Sequence, residues 1–196
     1  MKLRRKITEN YFNQRINIFQ RRTPCFDTSW HYHPEYELIY IDKGEGIRYV
    51  GDSVAPFSPG ELVLVGAYLP HLWKNDDRHV DSKYEVKNTI LQFTGDVLSR
   101  ETFKQSEFAK ICQLLEASKL GISFGESVAP QIHERLLKMM DASSTVKLLE
   151  LLNILHELSL AEDQQALSSI DTRQFTNDKS DRLESVISYI SNHYTE

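Results

Sequence analysis

The stretch Trp30-His-Tyr-His-Pro-Glu-Tyr-Glu-Leu-Ile-Tyr-Ile-Asp-Lys-Gly44 carries most of the information about the fold. His31, His33 and Glu37 are all odd-numbered, so on an extended strand their side chains project to the same side. Two imidazoles and a carboxylate on one side of a barrel wall form a ligand set for a transition metal. We therefore predict a β-rich domain with a polar site on its inner face.

A second polar segment, His71-Leu-Trp-Lys-Asn75, brings a further ligand nitrogen from a facing strand. Trp73 shares the parity of His71, so it either stacks on a ligand in the interior or belongs to the core. Tyr49 and Gln92 are pocket candidates by strand position, whereas Arg48 is expected to face solvent, as lone strand arginines usually do.

The spacing of apolar residues along the chain changes near residue 95. Before that point, short apolar runs punctuated by Gly and Pro are typical of a small barrel or sandwich. Strands are predicted over 16–19, 36–41, 47–50, 62–65 and 89–93. Lys43-Gly-Glu-Gly46 predicts a hairpin turn between two of them.

After residue 95 the apolar spacing becomes helical. Helices are predicted over 103–117, ended by Gly121, and over 130–140 and 144–160. The third is apolar around most of its circumference, so it is either fully buried or meets a second copy of the chain.

The polar, turn-rich residues 162–180 predict a linker. Residues 181–194 then begin a new amphipathic helix, which predicts the first element of a further domain.

Composition limits the function classes. The chain has 196 residues, 40% hydrophobic and 26% charged, with a net charge of -5. That balance is ordinary for a globular protein and argues against this segment wrapping nucleic acid by itself.

Cys25 and Cys112 lack any ligand spacing and are predicted to be semi-buried thiols in a reducing compartment. The basic residues 1–6 lack the apolar run of a signal peptide and are predicted to form a solvated tail rather than an arm near the pocket. No apolar run approaches the length of a membrane span. We therefore predict a cytoplasmic protein.

Residues 31–44 satisfy the pattern H-x-H-x3-E-x6-G, which resembles the first cupin motif. His71 and Asn75 match the second motif, but Gly66 and Tyr68 stand where that motif has Pro and Gly. The wider arrangement is similar to the effector-binding and dimerisation half of AraC-family transcriptional regulators. The similarity includes Pro59-Gly-Glu-Leu-Val-Leu-Val-Gly66, Leu148-Leu-Glu-Leu-Leu-Asn-Ile-Leu155 and the helix that starts Asp181-Arg-Leu.

This resemblance implies a mainly β fold with α. Residues 1–95 would form a cupin-type double-stranded β-helix (jelly-roll) barrel that binds a ligand, and 96–161 an α-helical dimerisation subdomain. After the linker, 181–196 would be the first helix of a truncated helix-turn-helix DNA-binding domain. The implied protein is a homodimeric sensor, not an enzyme, whose effector, a sugar or an organic acid, controls DNA binding through the C-terminal domain.

The ligand-binding candidates are His31, His33, Glu37, Tyr49, His71, Trp73 and Gln92. Of these, His31, His33, Glu37 and His71 are the candidate ligands of a divalent transition metal such as Zn, Ni, Fe or Mn. The same side chains can instead hydrogen-bond a sugar hydroxyl or a carboxylate without metal. Two alternatives remain open: a metal-dependent cupin enzyme of the oxygenase or sugar isomerase type, and a structural dimerisation module with a dead pocket.

Overall fold

The computed structural model describes residues 3–6, 15–26, 29–75 and 85–175 of the chain. The strands in these ranges are β1 Arg4–Arg5, β2 Ile16–Thr23, β3 His31–Tyr32, β4 Tyr36–Lys43, β5 Gly46–Val50, β6 Ser53–Phe57, β7 Leu62–Val65, β8 His71–Asn75, β9 Val86–Phe93, β10 Ile122–Phe124 and β11 Gln164–Ala166. The helices are α1 Arg100–Phe103, α2 Ala109–Ala117, α3 Ala129–Met139 and α4 Ser144–Leu160, with 3-10 turns at Ser106–Phe108, Ser118–Leu120 and Thr172–Phe175. All five predicted strands are confirmed.

The strands form two facing sheets. A five-stranded sheet has the order β1-β3-β8-β5-β6, and a six-stranded sheet has the order β11-β10-β7-β4-β9-β2. An apolar cluster joins them, with Ile39 and Ile90 from the six-stranded sheet and Val50 and Trp73 from the five-stranded sheet. The predicted mainly β fold with α is therefore confirmed.

The central strands of the six-stranded sheet are buried on both faces. Along β4, Leu38 packs against the helices while Ile39 packs against the other sheet, because successive side chains alternate between faces. All four residues of β7 are buried for the same reason, which explains their continuous apolar run. Each such side chain contributes about 1.5–3 kcal/mol to stability by leaving water.

The helices cover one face of this sheet. The predicted helices over 130–140 and 144–160 are confirmed, whereas the one over 103–117 is split into α1, a 3-10 turn and α2. Gly121 follows the last turn with φ +67°, as the C-terminal signal predicts. At the start of α4, the Ser143 hydroxyl accepts a hydrogen bond from the Val146 N–H at 3.5 Å. No helix in the described part of the chain has both the length and the apolar character needed to cross a membrane.

Helix α4 has one buried and one exposed apolar face. Leu151, Ile154, Leu155 and Leu158 are buried against the sheet and the other helices. On the other side, Val146, Leu149 and Leu160 are 50%, 58% and 55% exposed. The fully buried alternative is therefore wrong for a single copy of the chain, and the dimer contact stays a prediction.

The hairpin predicted at Lys43–Gly46 is wrong. The turn joins β4 to β5, which lie in different sheets, so it is a crossover between the two layers. Gly44 is needed for close packing as much as for turning, because its φ is +116° and a Cβ there would lie 2.8 Å from Val86 Cγ1. Glycines indicate that the chain turns, but they do not indicate whether the next strand pairs with the previous one or joins the other sheet.

Most of the predicted linker belongs to the folded domain. Gln164–Ala166 form the edge strand β11, which pairs antiparallel with β10. Asp52, in the β5–β6 turn, then accepts hydrogen bonds from the Ser168 hydroxyl at 2.5 Å and the Ser169 backbone N–H at 2.8 Å. All three β11 side chains are exposed, so the segment has the polar composition of a linker. The rest of the predicted linker, 176–180, and the helix predicted at 181–194 lie outside the described residues.

Two smaller predictions also change. Cys112 is partly buried as expected, but Cys25 is exposed. The tail prediction is wrong for residues 4–6, because Arg4–Arg5 pair with β3 and Lys6 lines the cavity described below.

Candidate metal and ligand site

Three histidines meet in the interior of the sandwich. His31 on β3 lies directly opposite His71 on β8, and His33 follows β3 at the point where the strand ends. The ring centroids of His31 and His71 are 4.4 Å apart, and those of His33 and His71 are 5.0 Å apart. Strand β3 ends here because Pro34 has no N–H and cannot extend the ladder. The four predicted ligands are therefore brought together by different strands, not by one continuous strand.

Each imidazole is oriented by a backbone carbonyl. The Nδ1 atoms donate to the carbonyl oxygens of residues two positions away, at 2.8 Å from His31 to Ser29, 3.1 Å from His33 to Glu35 and 2.8 Å from His71 to Leu69. A carbonyl oxygen only accepts, so the proton of a neutral ring lies on Nδ1 and its Nε2 carries the lone pair. Hydrogen bonds of this kind, from the ring nitrogen that does not face the metal, usually orient histidines that bind metals.

Glu37 completes the cluster from the six-stranded sheet. The side chain lies deep in the sandwich, and its Oε2 accepts a hydrogen bond from Gln92 Nε2 at 2.7 Å. The Nε2 atoms of His33 and His71 are 3.3 Å and 3.8 Å from its two carboxylate oxygens. Glu37 and Gln92 are directly opposed in the β4–β9 ladder, which fixes their approach.

Burial and the central carboxylate set the protonation of the cluster. Burial, followed by the charge of Lys6, lowers the pKa of His31 to about 4. Burial also lowers the pKa of His71 well below its ordinary value. Burial acts in the same direction on His33, but the adjacent Glu37 carboxylate outweighs it and raises the pKa of His33. Burial acts to raise the pKa of Glu37, but pairing with His33 and His71 holds it well below its ordinary value.

The cluster fits a divalent transition metal. One nitrogen from each of His31, His33 and His71 lies within 4.8 Å of the others, and all three residues are buried. The Nε2 atoms of His33 and His71 have no hydrogen-bond partner. Buried polar atoms without partners are costly, and a metal ion would satisfy these two together. Three imidazoles suit a transition metal such as Zn, Ni or Fe, whereas the predicted fourth ligand, Glu37, lies beside this group and is not part of it.

A cavity open to solvent leads to this cluster. Of the predicted ligand-binding residues, it is lined by His31, Glu37, His71, Trp73 and Gln92. The cavity is also lined by five residues that were not among the predicted ligand-binding residues: Lys6, Arg21, Phe26, Ile39 and Ile90. Phe19 and Arg21 are two residues apart on β2, where they lie opposite Ile90 and Asn88 of β9, respectively. This pairing joins distant parts of the chain, so the spacing of residues within one segment does not reveal it.

On strand β5, the residues that face the interior and the outside of the sandwich are the reverse of those predicted. Tyr49 packs with Leu3, Trp30 and Leu72 on the other face of the five-stranded sheet and does not join the site. Arg48 lies opposite Trp73 in the β5–β8 ladder and is only 5% exposed, so the prediction that it faces solvent is wrong. Its guanidinium forms an ion pair with Glu61, whose carboxylate also accepts a hydrogen bond from Trp73 Nε1 at 3.4 Å.

Of the two departures from the second cupin motif, the structure explains Gly66 but gives no reason for Tyr68. Tyr68 occupies the position of the motif glycine with φ +63°, a left-handed conformation that glycine adopts more easily. Its backbone N–H donates to the His33 carbonyl at 2.8 Å, so this turn supports the histidine segment. Gly66 stands where the motif has proline, and a Cβ there would lie 2.5 Å from the Ser118 carbonyl oxygen.

Comparisons with known proteins agree with this fold. Residues 23–81 match the cupin domain family. None of the curated proteins matches the sequence. The barrel is thus of the cupin class, and helices follow it.

Three solved structures show how far the likeness extends. The AraC-like transcriptional activator CuxR is 10% identical over 93% of this chain and 63% of its own, with a TM-score of 0.54. ToxT from Vibrio cholerae O395 is 12% identical over 93% of this chain and 67% of its own, with a TM-score of 0.48. A Cupin 2 conserved barrel domain protein from Salinispora arenicola CNS-205 is 14% identical over 50% of this chain and 80% of its own, with a TM-score of 0.36. The chain thus spans about two thirds of the length of both regulators, and at these identities the likeness concerns the fold alone.

Proposed function

We propose that this chain is the ligand-sensing and dimerising portion of an AraC-type transcriptional regulator. A small molecule that binds in the cupin barrel would control a DNA-binding domain at the C-terminal side. The observation that carries the proposal is a buried histidine and carboxylate cluster at the end of an open cavity, in a barrel whose outer sheet face is covered by helices. The fold likeness to an AraC-like transcriptional activator supports the same interpretation.

In this proposal, His31, His33, His71 and Glu37 hold a divalent transition metal. When bound, the metal would supply a Lewis acid that coordinates a ligand oxygen. The protein's own part is to orient the imidazoles through backbone carbonyls and to keep Glu37 ionised. Trp73 and Gln92 would position the rest of the ligand.

The strands that carry Glu37 and Gln92 also contact the helices, which gives a route for coupling. On the opposite face of β4, Asp42 Oδ1 lies 3.0 Å from His133 Nε2 of α3. The His133 ring also stacks on Tyr40, with 3.9 Å between the ring centroids. A ligand that shifts Glu37 would therefore act on the strand that holds α3. For regulation, that ligand must favour one arrangement of barrel and helices over another.

The exposed apolar face of α4 supports a homodimer. Val146, Leu149 and Leu160 are large apolar side chains in water, and a second copy of this face would bury them. Two copies would place two DNA-binding domains in one assembly, whose spacing or freedom the ligand then alters.

The test measures ligand binding and metal content in the wild type and in variants of the site. A broad panel of sugars and organic acids is first screened for an increase in the thermal unfolding midpoint of the chain. His31→Ala and His71→Ala should each abolish the increase, while Lys110→Ala, at an exposed position on α2, should keep it. If both site variants retain the metal content and the ligand response of the wild type, the proposed site is wrong.

A metal-dependent cupin enzyme, of the oxygenase or sugar isomerase type, is the second candidate. The complete set of three histidines and one carboxylate favours it, since such a set leaves coordination positions open for a substrate. Conversion of a binding compound by the metal-loaded chain, followed by mass spectrometry, would support the enzyme. A compound that binds and is recovered unchanged favours the sensor. If no compound in the panel binds, the structural dimerisation module becomes the better interpretation.

A further inference from the structure

Residues 167–173, which follow β11, form a strap that is held on the barrel. The backbone N–H groups of Leu167 and Ser168 donate to the carbonyl oxygens of Gly121 and Leu120, at 2.9 Å and 2.8 Å. The Leu167 side chain also packs against the apolar cluster between the two sheets. The strap therefore belongs to the folded domain, and it leads the chain toward its C-terminal side.

The strap is fastened to the β5–β6 turn. Asp52 in this turn accepts hydrogen bonds from the Ser168 hydroxyl at 2.5 Å and the Ser169 N–H at 2.8 Å, and the Ser169 hydroxyl donates to it as well. The packing is close, because a Cβ on Gly51 would lie 2.8 Å from the Ser168 Cβ and 3.4 Å from the Thr172 hydroxyl oxygen. Hydrogen bonds to a carboxylate are stronger than those between neutral groups, so this turn is a firm anchor for the strap.

The same turn supports the strand that begins with His71. The Gly51 N–H donates to the carbonyl oxygen of Pro70 at 2.9 Å. One residue before Gly51, Val50 lies directly opposite His71 in the β5–β8 ladder. The turn that anchors the strap is therefore in direct backbone contact with the segment that carries a ligand of the proposed metal site.

The far end of the strap approaches a second strand of the site. The Arg173 guanidinium forms two hydrogen bonds with the Asp171 carboxylate, at 2.8 Å and 2.7 Å. Burial raises the pKa of the Tyr36 hydroxyl, and the charge of Arg173 acts in the opposite direction, because the guanidinium lies near this side chain. Tyr36 immediately precedes Glu37 on β4. The strap thus approaches the surroundings of the site from both sheets.

The strap lies on the surface and is not part of the core. Ser169 is exposed, and Ile170 is 47% exposed. Segments that are held mainly by hydrogen bonds at the surface open locally at a much lower free energy than the core. The strap can therefore be docked or released while the barrel stays folded.

A metal bound by the three histidines would join β3 to the start of β8 and restrict the movement of both. The β5–β6 turn would then stay in the position in which Asp52 meets the two serines. When one binding event has already ordered a segment, the next event that needs this order costs less entropy.

We infer that occupation of the histidine cluster by a metal and docking of the strap on the β5–β6 turn stabilise each other, so that the state of the site controls how firmly the chain is held where it leaves the barrel. This inference rests on the proposed function. It names the element through which the site would act on the C-terminal side.

The first test is hydrogen exchange of the whole chain, with a chelator and then with Zn²⁺, read by mass spectrometry of peptides. Peptides that cover 164–173 should take up deuterium about fivefold or more slowly with Zn²⁺, since coupling between sites is typically of this size or larger. A peptide that covers 141–147, at the start of α4, reports local opening elsewhere and should change by less than about twofold. In His71→Leu, Zn²⁺ should leave the uptake of 164–173 unchanged.

The second test uses the reciprocity of coupling, because a loosened strap should in turn weaken metal binding. Asp52→Ala removes the acceptor of the strap, and Ser168→Ala removes one of its donors without changing the charge of the protein. Each should lower the Zn²⁺ affinity, measured by calorimetry, by about fivefold or more. Asp141→Ala removes an equal charge at an exposed position between α3 and α4 and should leave the affinity unchanged within about twofold. If Asp52→Ala does not show a cooperative unfolding transition, Ser168→Ala carries the comparison.

The results distinguish a failure of the strap from a failure of the site. If Zn²⁺ binds the wild type but the exchange of 164–173 does not change, or if Ser168→Ala binds Zn²⁺ as the wild type does, the strap inference is wrong and the metal site stands. A loss in Asp52→Ala and Asp141→Ala alike would also overturn the inference, since the effect would then be one of overall charge. If Zn²⁺ does not bind the wild type, the inference and the metal site of the proposed function both fail.

Discussion

Replacing His71 with leucine should cost little stability without metal and remove most of the stabilisation that a metal provides. In the metal-free protein, the Nε2 of His71 is buried without a hydrogen-bond partner, and such an atom costs about 1–3 kcal/mol. Its Nδ1 donates to the buried Leu69 carbonyl at 2.8 Å, and leaving that oxygen without this donor costs a similar amount. Leucine has a similar size and no polar atom. The two costs nearly cancel, so metal-free His71→Leu should have the stability of the wild type within about 1 kcal/mol.

A bound metal should separate the two proteins. At one hundred times the dissociation constant, a ligand that binds only the folded state stabilises it by about 2.7 kcal/mol. In a chain of this length, that corresponds to a rise of about 5–10 °C in the unfolding midpoint. The leucine variant lacks one of the three histidines proposed as ligands and should gain little from the same metal concentration.

The assay is thermal and urea unfolding of both proteins, first with a chelator and then with Zn²⁺ or Ni²⁺. Lys110→Gln, at an exposed position on α2, is the control and should follow the wild type in both conditions. A loss of more than about 2 kcal/mol in His71→Leu without metal would refute the reasoning, because His71 would then be a satisfied structural residue. An undiminished metal response in the variant would refute its role as a ligand.

Four further predictions concern the surroundings of the site. Arg48→Ala should lower the free energy of urea unfolding by about 3–5 kcal/mol, because it leaves the Glu61 carboxylate without its partner. The double variant with Glu61→Ala should lose less than the sum of the two single variants. Tyr68→Gly should raise the free energy of unfolding by about 1 kcal/mol by removing a left-handed non-glycine residue; an unchanged value would mean that the tyrosine ring compensates. Burial acts to raise the pKa of Asp52, but hydrogen bonds from two serines outweigh it and hold the pKa below its ordinary value of 3.8. The stabilisation that the ionised Asp52 gives the fold is therefore present above that pH and is lost as the pH falls further. Asp52→Asn should flatten the pH dependence of the urea midpoint between pH 5 and 2.5. Leu149→Glu, at a position 58% exposed, should leave the fold intact and shift the sedimentation coefficient from dimer to monomer, whereas a wild type that sediments as a monomer at micromolar concentration removes the dimer.

The sequence predicts the histidine cluster well because the information is local. His31, His33 and Glu37 lie close together in the sequence, at the end of β3 and the start of β4, and His71 begins a further strand. Their convergence depends on the two sheets facing each other, which the pattern of short strands also indicates. The helices over 130–140 and 144–160 are predictable for the same reason, since their apolar periodicity is a property of one segment.

The errors arise where distant pairing decides the outcome. Arg48 and Tyr49 exchange their expected environments because the face of β5 that points inward is fixed by its ladder with β8. Arg21 is missed because only pairing with β9, far along the chain, turns it toward the cavity. Gln164–Ala166 resemble a linker since an edge strand exposed to water has no need of apolar side chains.

The most direct test of the central claim is whether the endogenous, full-length gene product occupies DNA in a way that depends on this site. Chromatin immunoprecipitation of the tagged protein from its host should recover discrete DNA sites, and the occupancy of these sites should change when the chromosomal gene carries His71→Leu. The protein level must be equal in both strains, which immunoblotting checks. If no DNA is enriched above an untagged strain, or if occupancy is the same in both strains, the account of a barrel that senses a ligand and controls DNA binding is contradicted.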